Sequence, residues 1–429
     1  MSGLIDVGVV GAGPAGLAAA LAAGDLGCEV TLIDTGSGPG GQMYHQSLLF
    51  PSRDRDRRAA GDHLPPRLAR IRAGRPGRYL AATSVERAER DDDGVVTLWV
   101  GGPEGGAETT VEVRTVVLAT GAAELVLPFP GWDLPGVTTA GAAQALLAGQ
   151  GVTVGRRVLV GGSGPLLLPV AAALAEAGVQ VAGVLEAARA TTTWSPEAVA
   201  ALARHQVPVR PGCAVIGCRG TGRVERAVIA ELDDDWRPVP GSQREEIVDA
   251  VHLNFGFSPA LELPRALGCA EVPHPSRPVS VVACDAGLAT SVPGVFAAGA
   301  VTGTEGASPA ELEGYLAGSS AARYLNRLDG TGYAARARAL RDQLEAVRQL
   351  AARPGDAGPL GPGWLQWPDP GTVVCRCEET RWSDIAAALA AGARDEPAVR
   401  RATRCGTGYC QGLVCGPALQ DAVARWSPG

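Results

Sequence analysis

The sequence predicts an α/β fold in which two dinucleotide-binding domains are followed by a small C-terminal α-helical domain with paired cysteines. Glycine-rich turns follow apolar strands near residues 11 and 162, and five of the ten cysteines lie after Gly371. Each glycine turn opens a β-α-β pattern, which is the unit of a nucleotide-binding sheet. The apolar run Val295 to Ala298 is typical of a buried strand that returns to the first sheet. We therefore expect the second domain to be inserted in the first.

The composition limits the class of protein. The chain has 429 residues, of which 46% are hydrophobic, and this is enough to bury several cores. Its net charge of -7 includes no basic stripe, so nucleic acid and an anionic membrane surface are unfavourable partners. The apolar stretch Leu4 to Ala23 contains Asp6 and lacks a basic leader, which argues against a signal peptide or a membrane span. We expect a cytoplasmic protein whose clustered thiols bind metal or do redox work.

The first domain begins with an apolar strand, an alanine-rich helix and a second strand, over Leu4–Val10, Pro14–Leu26 and Glu29–Asp34. Residues 45 to 78 are rich in Arg and Pro and predict a loop or an irregular helical excursion. Strand-like runs separated by turn residues then predict an antiparallel meander, near Tyr79–Glu89, Val95–Val100 and Thr109–Val113. A helix over Pro309 to Leu328 is expected to close this domain.

The second domain repeats the pattern of strand, helix and strand, over Arg157–Gly161, Pro165–Ala177 and Gln180–Leu185. Residues 333 to 352 predict one amphipathic helix, and Arg353 to Gly371 are so rich in Pro and Gly that they predict a linker. The expected domains are residues 1–140 with 285–330, residues 141–284, a helix and linker at 331–372, and a cysteine domain at 373–429.

The first glycine turn, Gly11 to Gly16, fits the dinucleotide-binding fingerprint directly after a strand and at the start of a helix. Its first glycine permits the tight turn, its second lets the backbone approach a pyrophosphate, and its third lets the helix pack on the strand. Asp34 ends the next strand, where a carboxylate bonds ribose hydroxyls. A lone turn of this kind is a weak signal, but strand, helix and acidic end together favour nucleotide binding.

The second glycine turn, Gly162 to Pro165, departs from the fingerprint because Leu167 occupies the position of the third glycine. Helix and strand must then pack further apart. Two interpretations stay open, a nicotinamide nucleotide site and a vestigial fold kept for stability or subunit contact. The acidic residue after the next strand is Glu186, which would favour a free 2′-hydroxyl over a phosphate if the site works.

The C-terminal cysteines form one CxC pair and one CxxxxC pair, and we predict as metal ligands Cys375, Cys377, Cys410 and Cys415. Four thiolates suit either zinc or an iron–sulfur cluster, although zinc sites usually use CxxC knuckles. Gly416-Pro417 predicts a helix that starts directly after the last ligand. We interpret Cys405 as a buried small side chain. The same core role is expected for the five earlier cysteines, Cys28, Cys213, Cys218, Cys269 and Cys284.

Two absences in the sequence also limit the chemistry. No pair of closely spaced cysteines follows the first nucleotide motif near Gly41, so thiol–disulfide reduction has no nucleophile. The five histidines show no metal-ligand spacing and are expected to be surface or structural residues. The sequence therefore names no catalytic residue.

These motifs resemble those of flavoproteins related to glutathione reductase and thioredoxin reductase, over roughly residues 4 to 328. The resemblance implies FAD, and the cofactor-binding residues that it and the glycine motif indicate are Gly11, Gly13, Pro14, Ala15, Gly16, Asp34, Gly41, Gln42, Ala119, Thr120, Gly121, Gly299 and Ala300. The tail from Val374 to Glu378, with the later cysteines, resembles the bacterioferritin-associated-ferredoxin type of [2Fe-2S] domain.

The two parts together resemble the large flavoprotein subunits of heteromeric amino-acid and opine dehydrogenases, which include hydrogen cyanide synthase, opine oxidase and proline or hydroxyproline dehydrogenase. This resemblance implies an electron-transfer subunit with FAD and a [2Fe-2S] cluster. NAD(P) stays a candidate ligand because of the second glycine turn. It implies a partner subunit with an amino-acid-oxidase fold that oxidises an amino acid, imino acid or opine-like amine, and it allows for a small ferredoxin-like subunit. Two alternatives stay open, a self-sufficient NAD(P)H-dependent ferredoxin-type reductase and a non-redox scaffold subunit.

The chain departs from these flavoproteins at Ala300. Such proteins carry an aspartate here that bonds the ribityl chain of the flavin. Loss of that carboxylate removes one hydrogen-bond partner of the cofactor, so weaker FAD binding or another adenine nucleotide is an alternative.

Overall fold

The computed structural model describes residues 3–43, 70, 77–102, 109–189, 196–274, 277–304, 306–351 and 360–426. Most of the predicted excursion at residues 45 to 78 lies outside the described residues. The chain forms two compact units. Unit 1 comprises Met1–Ala122, Pro259–His274 and Ser280–Ala352, and unit 2 comprises Ala123–Ser258, Pro275–Val279 and Arg353–Gly429.

Unit 1 is built on a sheet whose centre is strand β1 (Ile5–Val10), as the apolar run at the start of the sequence predicts. β1 pairs in parallel with β2 (Val30–Ile33) and with β6 (Thr109–Leu118), while β3 (Gly77–Leu80) pairs in parallel with β2. The predicted meander is confirmed for β4 (Ser84–Arg90), β5 (Val96–Gly101) and β6, because β4 pairs antiparallel with β5 and β5 pairs antiparallel with β6. The first predicted run, Tyr79–Glu89, is two strands, since its start belongs to β3.

The predicted return of the chain to this sheet is also confirmed. Strand β19 (Val295–Ala297) pairs in parallel with the end of β6. The long excursion between them contains the second β-α-β pattern, so the second nucleotide-binding half is inserted in the first. The remaining short elements of unit 1 are helix α5 (Glu262–Ala266) and the antiparallel strands β17 (Glu271–Pro273) and β18 (Ser280–Val282).

Two helices of unit 1 pack with unusually close backbones. α1 (Pro14–Asp25) lies against α6 (Ala307–Tyr324), which is followed by the long helix α7 (Gly330–Ala351). A Cβ atom added to Gly314 would lie 2.0 Å from the carbonyl oxygen of Ala15, and one added to Gly318 would lie 2.3 Å from that of Ala19. Glycine at these two positions is therefore a packing requirement, because any larger residue would push α6 away from α1.

Unit 2 contains a parallel sheet in the strand order β11, β10, β9, β15, β8. Its strands are β8 (Val137–Thr139), β9 (Arg157–Gly162), β10 (Gln180–Glu186), β11 (Val209–Pro211) and β15 (Ala250–Asn254). Its helices are α2 (Ala140–Ala145), continued by a π-helical turn at Leu146–Gln150, α3 (Leu167–Glu176) and α4 (Pro196–Arg204). An antiparallel sheet contains β12 (Cys213–Arg219), β13 (Arg226–Glu231) and β14 (Arg244–Ile247), and a two-stranded ribbon contains β7 (Ala122–Glu124) and β16 (Phe257–Pro259).

The C-terminal cysteine module, residues 373–426, belongs to unit 2. It contains the hairpin β20 (Val373–Cys375) and β21 (Thr380–Arg381) and three helices, α8 (Trp382–Ala390), α9 (Glu396–Thr403) and α10 (Gly416–Arg425). The helix predicted from Gly416-Pro417 is confirmed, and it starts directly after Cys415.

The predicted linker is wrong for residues 360 to 371. A 3-10 turn at Pro362–Gln366 carries Trp364, which is completely buried and donates from its ring nitrogen to Asp421 at 2.7 Å. Trp367 stacks on Trp236 with ring centroids 6.3 Å apart and lies in the same core. Composition rich in Pro and Gly indicated a flexible connection, but the apolar area of these two indole rings makes the segment part of a core.

None of the helices in the described ranges is long and apolar enough to cross a membrane.

Replacing Trp364 by Ala should destabilise unit 2 by about 3 to 5 kcal/mol, because it leaves a cavity in the core and removes a partner of buried Asp421. The matched control is Ile247→Ala, since Ile247 is 69% exposed in the same unit and its loss should cost little. Denaturant unfolding followed by tryptophan fluorescence and circular dichroism measures both changes. Equal stability of the two variants would contradict the assignment of Trp364 to the core.

Candidate nucleotide and iron–sulfur sites

The first glycine turn has no room for side chains. Gly11 has a φ of +100°, and a Cβ atom on it would lie 2.2 Å from the carbonyl oxygen of Ala119. A Cβ atom on Gly16 would lie 1.7 Å from the carbonyl oxygen of Gly11. Gly13 is extended and caps the start of α1. The free N–H groups of that helix end are thus available to an anionic group beside the turn.

Asp34 is held at this turn by two backbone amides. Its Oδ2 accepts from the N–H of Ala12 at 2.6 Å, and its Oδ1 accepts from the N–H of Gly36 at 2.7 Å. A carboxylate oxygen can accept more than one hydrogen bond, so Asp34 can fix the turn and still accept from ribose hydroxyls.

The Gly40-Gly41 turn lies against the glycine motif, since the Gly40 N–H donates to the Ala12 carbonyl at 2.8 Å. A Cβ atom on Gly41 would lie 2.7 Å from the Cα atom of Gly13. The structure therefore brings together residues of three sequence motifs, Gly11–Gly16, Gly40–Gly41 and Ala119–Gly121. Thr120 of the third motif donates from its hydroxyl to the Ala260 carbonyl at 2.8 Å, so its side chain stabilises the fold.

The turn that follows β19 contains Gly299, which has a φ of +84° and approaches Ala15. Ala300 lies in the same turn and presents no carboxylate. The buried acid of this region is Glu313 on α6, which accepts from the Gly299 N–H at 2.8 Å, from Thr302 at 2.8 Å and from Thr304. Arg348 on α7 completes the set with an ion pair of 2.6 Å.

Sequence reasoning missed Glu313. Glu313 lies three residues after Ala310 and four before Ala317, so all three share one buried face of α6. An acidic residue among small residues on a buried helix face was the signal in the sequence. Glu313 fixes the turn after β19 through its bonds to Gly299, Thr302 and Thr304.

The second glycine turn repeats the first with one change. Glu186 accepts from the Gly164 N–H at 3.1 Å and from the Ala188 N–H at 3.0 Å, the same pattern as Asp34. Glu186 is only 3% exposed, and burial raises its pKa above the usual range. Leu167 is completely buried, and α3 begins at this residue, two positions later than the predicted start at Pro165. The second turn thus differs from its counterpart in unit 1 in where its helix starts and in the side chain at the third glycine position.

The five C-terminal cysteines lie in two groups. The Sγ atoms of Cys375, Cys405 and Cys415 all lie within 4.8 Å of one another, and all three residues are buried. Cys377 and Cys410 are more exposed and hydrogen-bond to each other. The four predicted ligands are divided between these groups, and Cys405 joins the first. We call the three buried thiols the inner group and the other two the outer pair.

Backbone amides surround the outer pair. Burial acts to raise the pKa of Cys410, but hydrogen bonds from the amides of Val414 and Gly412, among others, outweigh it and lower the pKa. Such donors favour the thiolate, which is the form that binds metal. In the inner group, the Cys405 side chain and burial raise the pKa of Cys415.

Gly408 is a further residue of this site that sequence reasoning did not single out. A Cβ atom on it would lie 2.5 Å from the Cβ atom of Cys377, so a larger residue would separate the outer pair. The glycines of the sequence TRCGTGYCQG, which covers residues 403 to 412, were the available signal.

Arg376 ties the first ligand loop to the nucleotide-binding half of unit 2. Its guanidinium lies over the ring of Trp132 at 4.1 Å and donates to the Trp132 carbonyl at 2.7 Å. The Trp132 ring nitrogen in turn donates to the Val373 carbonyl at 2.5 Å. These three interactions fix Arg376, and with it the two cysteines that flank it, Cys375 and Cys377.

The donor set fits an iron–sulfur cluster. Among the described residues, the possible metal ligands that lie close enough to share one ion are all cysteine thiols. Soft thiolates favour iron–sulfur clusters and zinc over hard cations. The earlier cysteines are elsewhere, since Cys28, Cys213, Cys218 and Cys269 lie in apolar cores. Burial raises the pKa of Cys28 to about 11 and that of Cys218 to about 12, as expected for inert core thiols.

Comparison with known families gives two matches. The family described as pyridine nucleotide-disulphide oxidoreductase matches residues 5–327. The BFD-like [2Fe-2S] binding domain matches residues 373–425. Together these matches indicate FAD and a [2Fe-2S] cluster as cofactors, and a group of cysteine thiols is present within the second match.

Curated relatives align along nearly the whole chain. The opine oxidase A-type subunit of Rhizobium meliloti (strain 1021) is 33% identical, with 98% of this chain and 92% of that protein covered. The HcnB subunit of hydrogen cyanide synthase from Pseudomonas aeruginosa is 28% identical, with 97% and 92% covered. The alpha subunit of sarcosine oxidase from Corynebacterium sp. (strain P-1) is 28% identical, but the chain spans only 42% of its length.

Solved structures support the fold. L-proline dehydrogenase from P. horikoshii superposes with a TM-score of 0.71 at 19% identity, covering 99% of this chain and 75% of that one. T. acidophilum thioredoxin reductase gives 0.57 at 21% identity, covering 76% and 99%. The thioredoxin reductase has no counterpart for about a quarter of this chain, whereas the L-proline dehydrogenase covers almost all of it.

Replacing Gly16 by Ala should remove bound flavin, because the added methyl group would overlap the Gly11 carbonyl and displace α1 from the turn. Flavin absorption per mole of purified chain measures the loss. Gly330→Ala is the matched control, since a Cβ atom there meets nothing within 4 Å. A Gly16→Ala variant that retains the flavin content of the control would contradict this assignment of the turn.

Proposed function

Because the chain belongs to the pyridine nucleotide-disulphide oxidoreductase family and carries a BFD-like [2Fe-2S] binding domain, we propose that it is the electron-transfer subunit of a heteromeric dehydrogenase. The partner subunit would oxidise an amino acid, an imino acid or an opine-like amine. One observation carries this proposal: a single chain combines the flavoprotein fold with a group of thiols suited to a cluster. FAD exchanges two electrons with a donor and releases them singly to a cluster.

The relatives support a complex in which a partner subunit oxidises the substrate and this chain transfers the electrons. Matches along nearly the whole chain are named as subunits of opine oxidase and hydrogen cyanide synthase, and a solved structure that covers 99% of this chain is named L-proline dehydrogenase. Two of these names, opine oxidase and L-proline dehydrogenase, refer to the oxidation of an amino-acid derivative or an amino acid. We infer a similar substrate class for the complex that contains this chain. The proposed partner is a catalytic subunit of amino-acid-oxidase type, and a small ferredoxin-like subunit is a further candidate component.

The described carboxylates at the two turns support chemistry on a partner rather than here. Asp34 and Glu186 each accept from two backbone amides, and Glu313 is bonded to several protein donors. A general base needs a free lone pair within hydrogen-bond reach of the substrate proton. Glu186 and Glu313 are almost completely buried, at 3% and 1% exposed, so a substrate in solution does not reach them, and we assign C–N bond oxidation to the neighbouring subunit.

The chain's own residues would hold the cofactors. Gly11, Gly13 and Gly16 admit the pyrophosphate of FAD, and Asp34 is placed for its ribose. The proposed binding residues are completed by Pro14, Ala15, Gly41, Gln42, Ala119, Thr120, Gly121, Gly299 and Ala300. The proposed cluster ligands are Cys375, Cys377, Cys410 and Cys415. Exposed Cys377 brings the outer pair close to solvent, where an electron acceptor can approach.

The outer pair gives a direct test of the cluster assignment. Cys410→Ala should abolish the cluster, because no other thiol of the described residues is grouped with Cys377. Iron and sulfide content, visible absorption and the EPR signal of the reduced protein measure this loss. Flavin should stay bound, since its site lies in unit 1. Cys284→Ala is the matched control and should change none of these readouts; a Cys410→Ala variant with full iron would refute the ligand set.

The partner is tested by anaerobic purification of the chain from its native host, followed by mass spectrometry of the proteins and cofactors that accompany it. We expect a flavoprotein of amino-acid-oxidase type in stoichiometric amount. Amine-dependent reduction of the cluster should require that partner. Reduction of the cluster by amine in the isolated chain would contradict the proposal, and a complex without flavin or reducible cluster would favour a scaffold.

The second glycine turn yields a further prediction. The isolated chain should not oxidise NADH at a significant rate, because Leu167 and buried Glu186 leave the turn poorly open to a nucleotide. Anaerobic mixing with NADH, followed at the flavin absorption band, measures this. Rapid flavin reduction would instead support the self-sufficient reductase.

A further inference from the structure

The C-terminal module contains one thiol more than a [2Fe-2S] cluster requires. Such a cluster is held by four cysteine thiolates, two on each iron. Five cysteines lie in the module, and the structure groups all of them. One of them is therefore left over when the cluster is bound.

The surplus thiol belongs to the inner group. Ligand atoms on one tetrahedral metal with metal–sulfur bonds of about 2.3 Å lie roughly 3.8 Å apart. The three inner thiols all lie within 4.8 Å of one another, so any two of them are spaced to serve one iron after a small adjustment. The outer pair, Cys377 and Cys410, has no such third member among the described residues.

Cys405 is the inner thiol that is not required by the predicted ligand pattern. It lies beside Cys415, to which it is hydrogen-bonded, and it is completely buried. Its backbone N–H donates to the Thr403 hydroxyl at 3.2 Å, and the preceding Arg404 is in the left-handed conformation with a φ of 63°. This geometry turns the chain sharply at the end of α9.

The segment around Cys405 is also fixed on its other side. Arg400 donates to the Gly406 carbonyl at 2.8 Å and is paired with Glu396 on the same helix. The Gly406 N–H donates to the sulfur of Cys375 at 3.5 Å. Cys405 is thus held among the inner thiols by interactions that do not involve its own sulfur, which leaves that sulfur available to a metal.

We propose that Cys405 is a reserve ligand, meaning a thiol that binds iron in place of Cys415 when Cys415 is absent or displaced. This inference rests on the proposed function, since it concerns the same cluster. The exchange is a ligand substitution without electron transfer. The Cys405 thiol loses its proton as its sulfur binds iron, and the Cys415 thiolate, when present, takes up a proton as it leaves.

Single and double Ala variants of the full chain, purified anaerobically, test the exchange. Ala is used because a Ser oxygen can itself bind iron. Cys405→Ala should keep the wild-type iron content and EPR signal. Cys415→Ala should keep most of the iron but show a shifted EPR signal, because the cluster then has a different ligand geometry. The double variant should lose nearly all of its iron.

Cys410→Ala is the matched control without a reserve thiol, and it should lose the cluster as a single change. Equal loss of iron in Cys415→Ala and in the double variant would overturn the proposal, provided that circular dichroism shows both to be folded. Loss of the cluster in Cys405→Ala would overturn it as well, because Cys405 would then be an obligatory ligand. A wild-type chain without any cluster would instead refute the proposed function, so the two failures are distinguishable.

Discussion

The position of the CxC loop within unit 2 depends on the contact between Arg376 and Trp132. Arg376 lies between one cysteine of the inner group and one of the outer pair, and it can stack on Trp132 only when the hairpin of β20 and β21 lies against that part of the unit. Trp132 belongs to the same apolar core as the aromatic cluster of Trp236, Phe255 and Trp367. The cysteine module also has a core of its own, in which the three inner thiols pack with apolar side chains such as Ile385 and Leu389. The CxC loop is therefore fixed from two sides, by the core of its module and by the Arg376–Trp132 contact with the larger core.

The two glycine turns share one backbone design but differ at the third glycine position. In each, an acid at the end of the second strand accepts from an amide of the turn, which keeps the turn tight. α1 begins at Pro14, before Gly16, whereas α3 begins at Leu167 itself. A Cβ atom on Gly16 would overlap the Gly11 carbonyl, so the close packing of α1 on the first turn requires glycine there. The second turn keeps the order of strand, turn and helix with a leucine at that position, because its helix starts later.

Much of this architecture could be predicted from the sequence, because the β-α-β pattern and the glycine turns are local signals. The return of β19 to the first sheet is predictable because a short, fully apolar run has few other places in an α/β protein. Trp364 and Trp367 escape such prediction because composition averaged over a Pro-rich segment conceals single large side chains. The grouping of Cys405 with other thiols escapes it because spacing along the chain does not show which thiols the turns at Arg404 and Gly412 bring together.

The absence of a carboxylate at Ala300 and the burial of Glu313 are best understood together. Glu313 compensates the positive charge of Arg348 and fixes the backbone of the Gly299 turn, so the turn keeps its shape without help from a ligand. A carboxylate at position 300 is therefore not needed to hold this turn. The Gly299 N–H is already donated to Glu313, so the shape of the turn is fixed by contacts within the chain. The dinucleotide-binding fold of unit 1 thus keeps the turn after β19 through a buried acid on α6 and its paired arginine on α7.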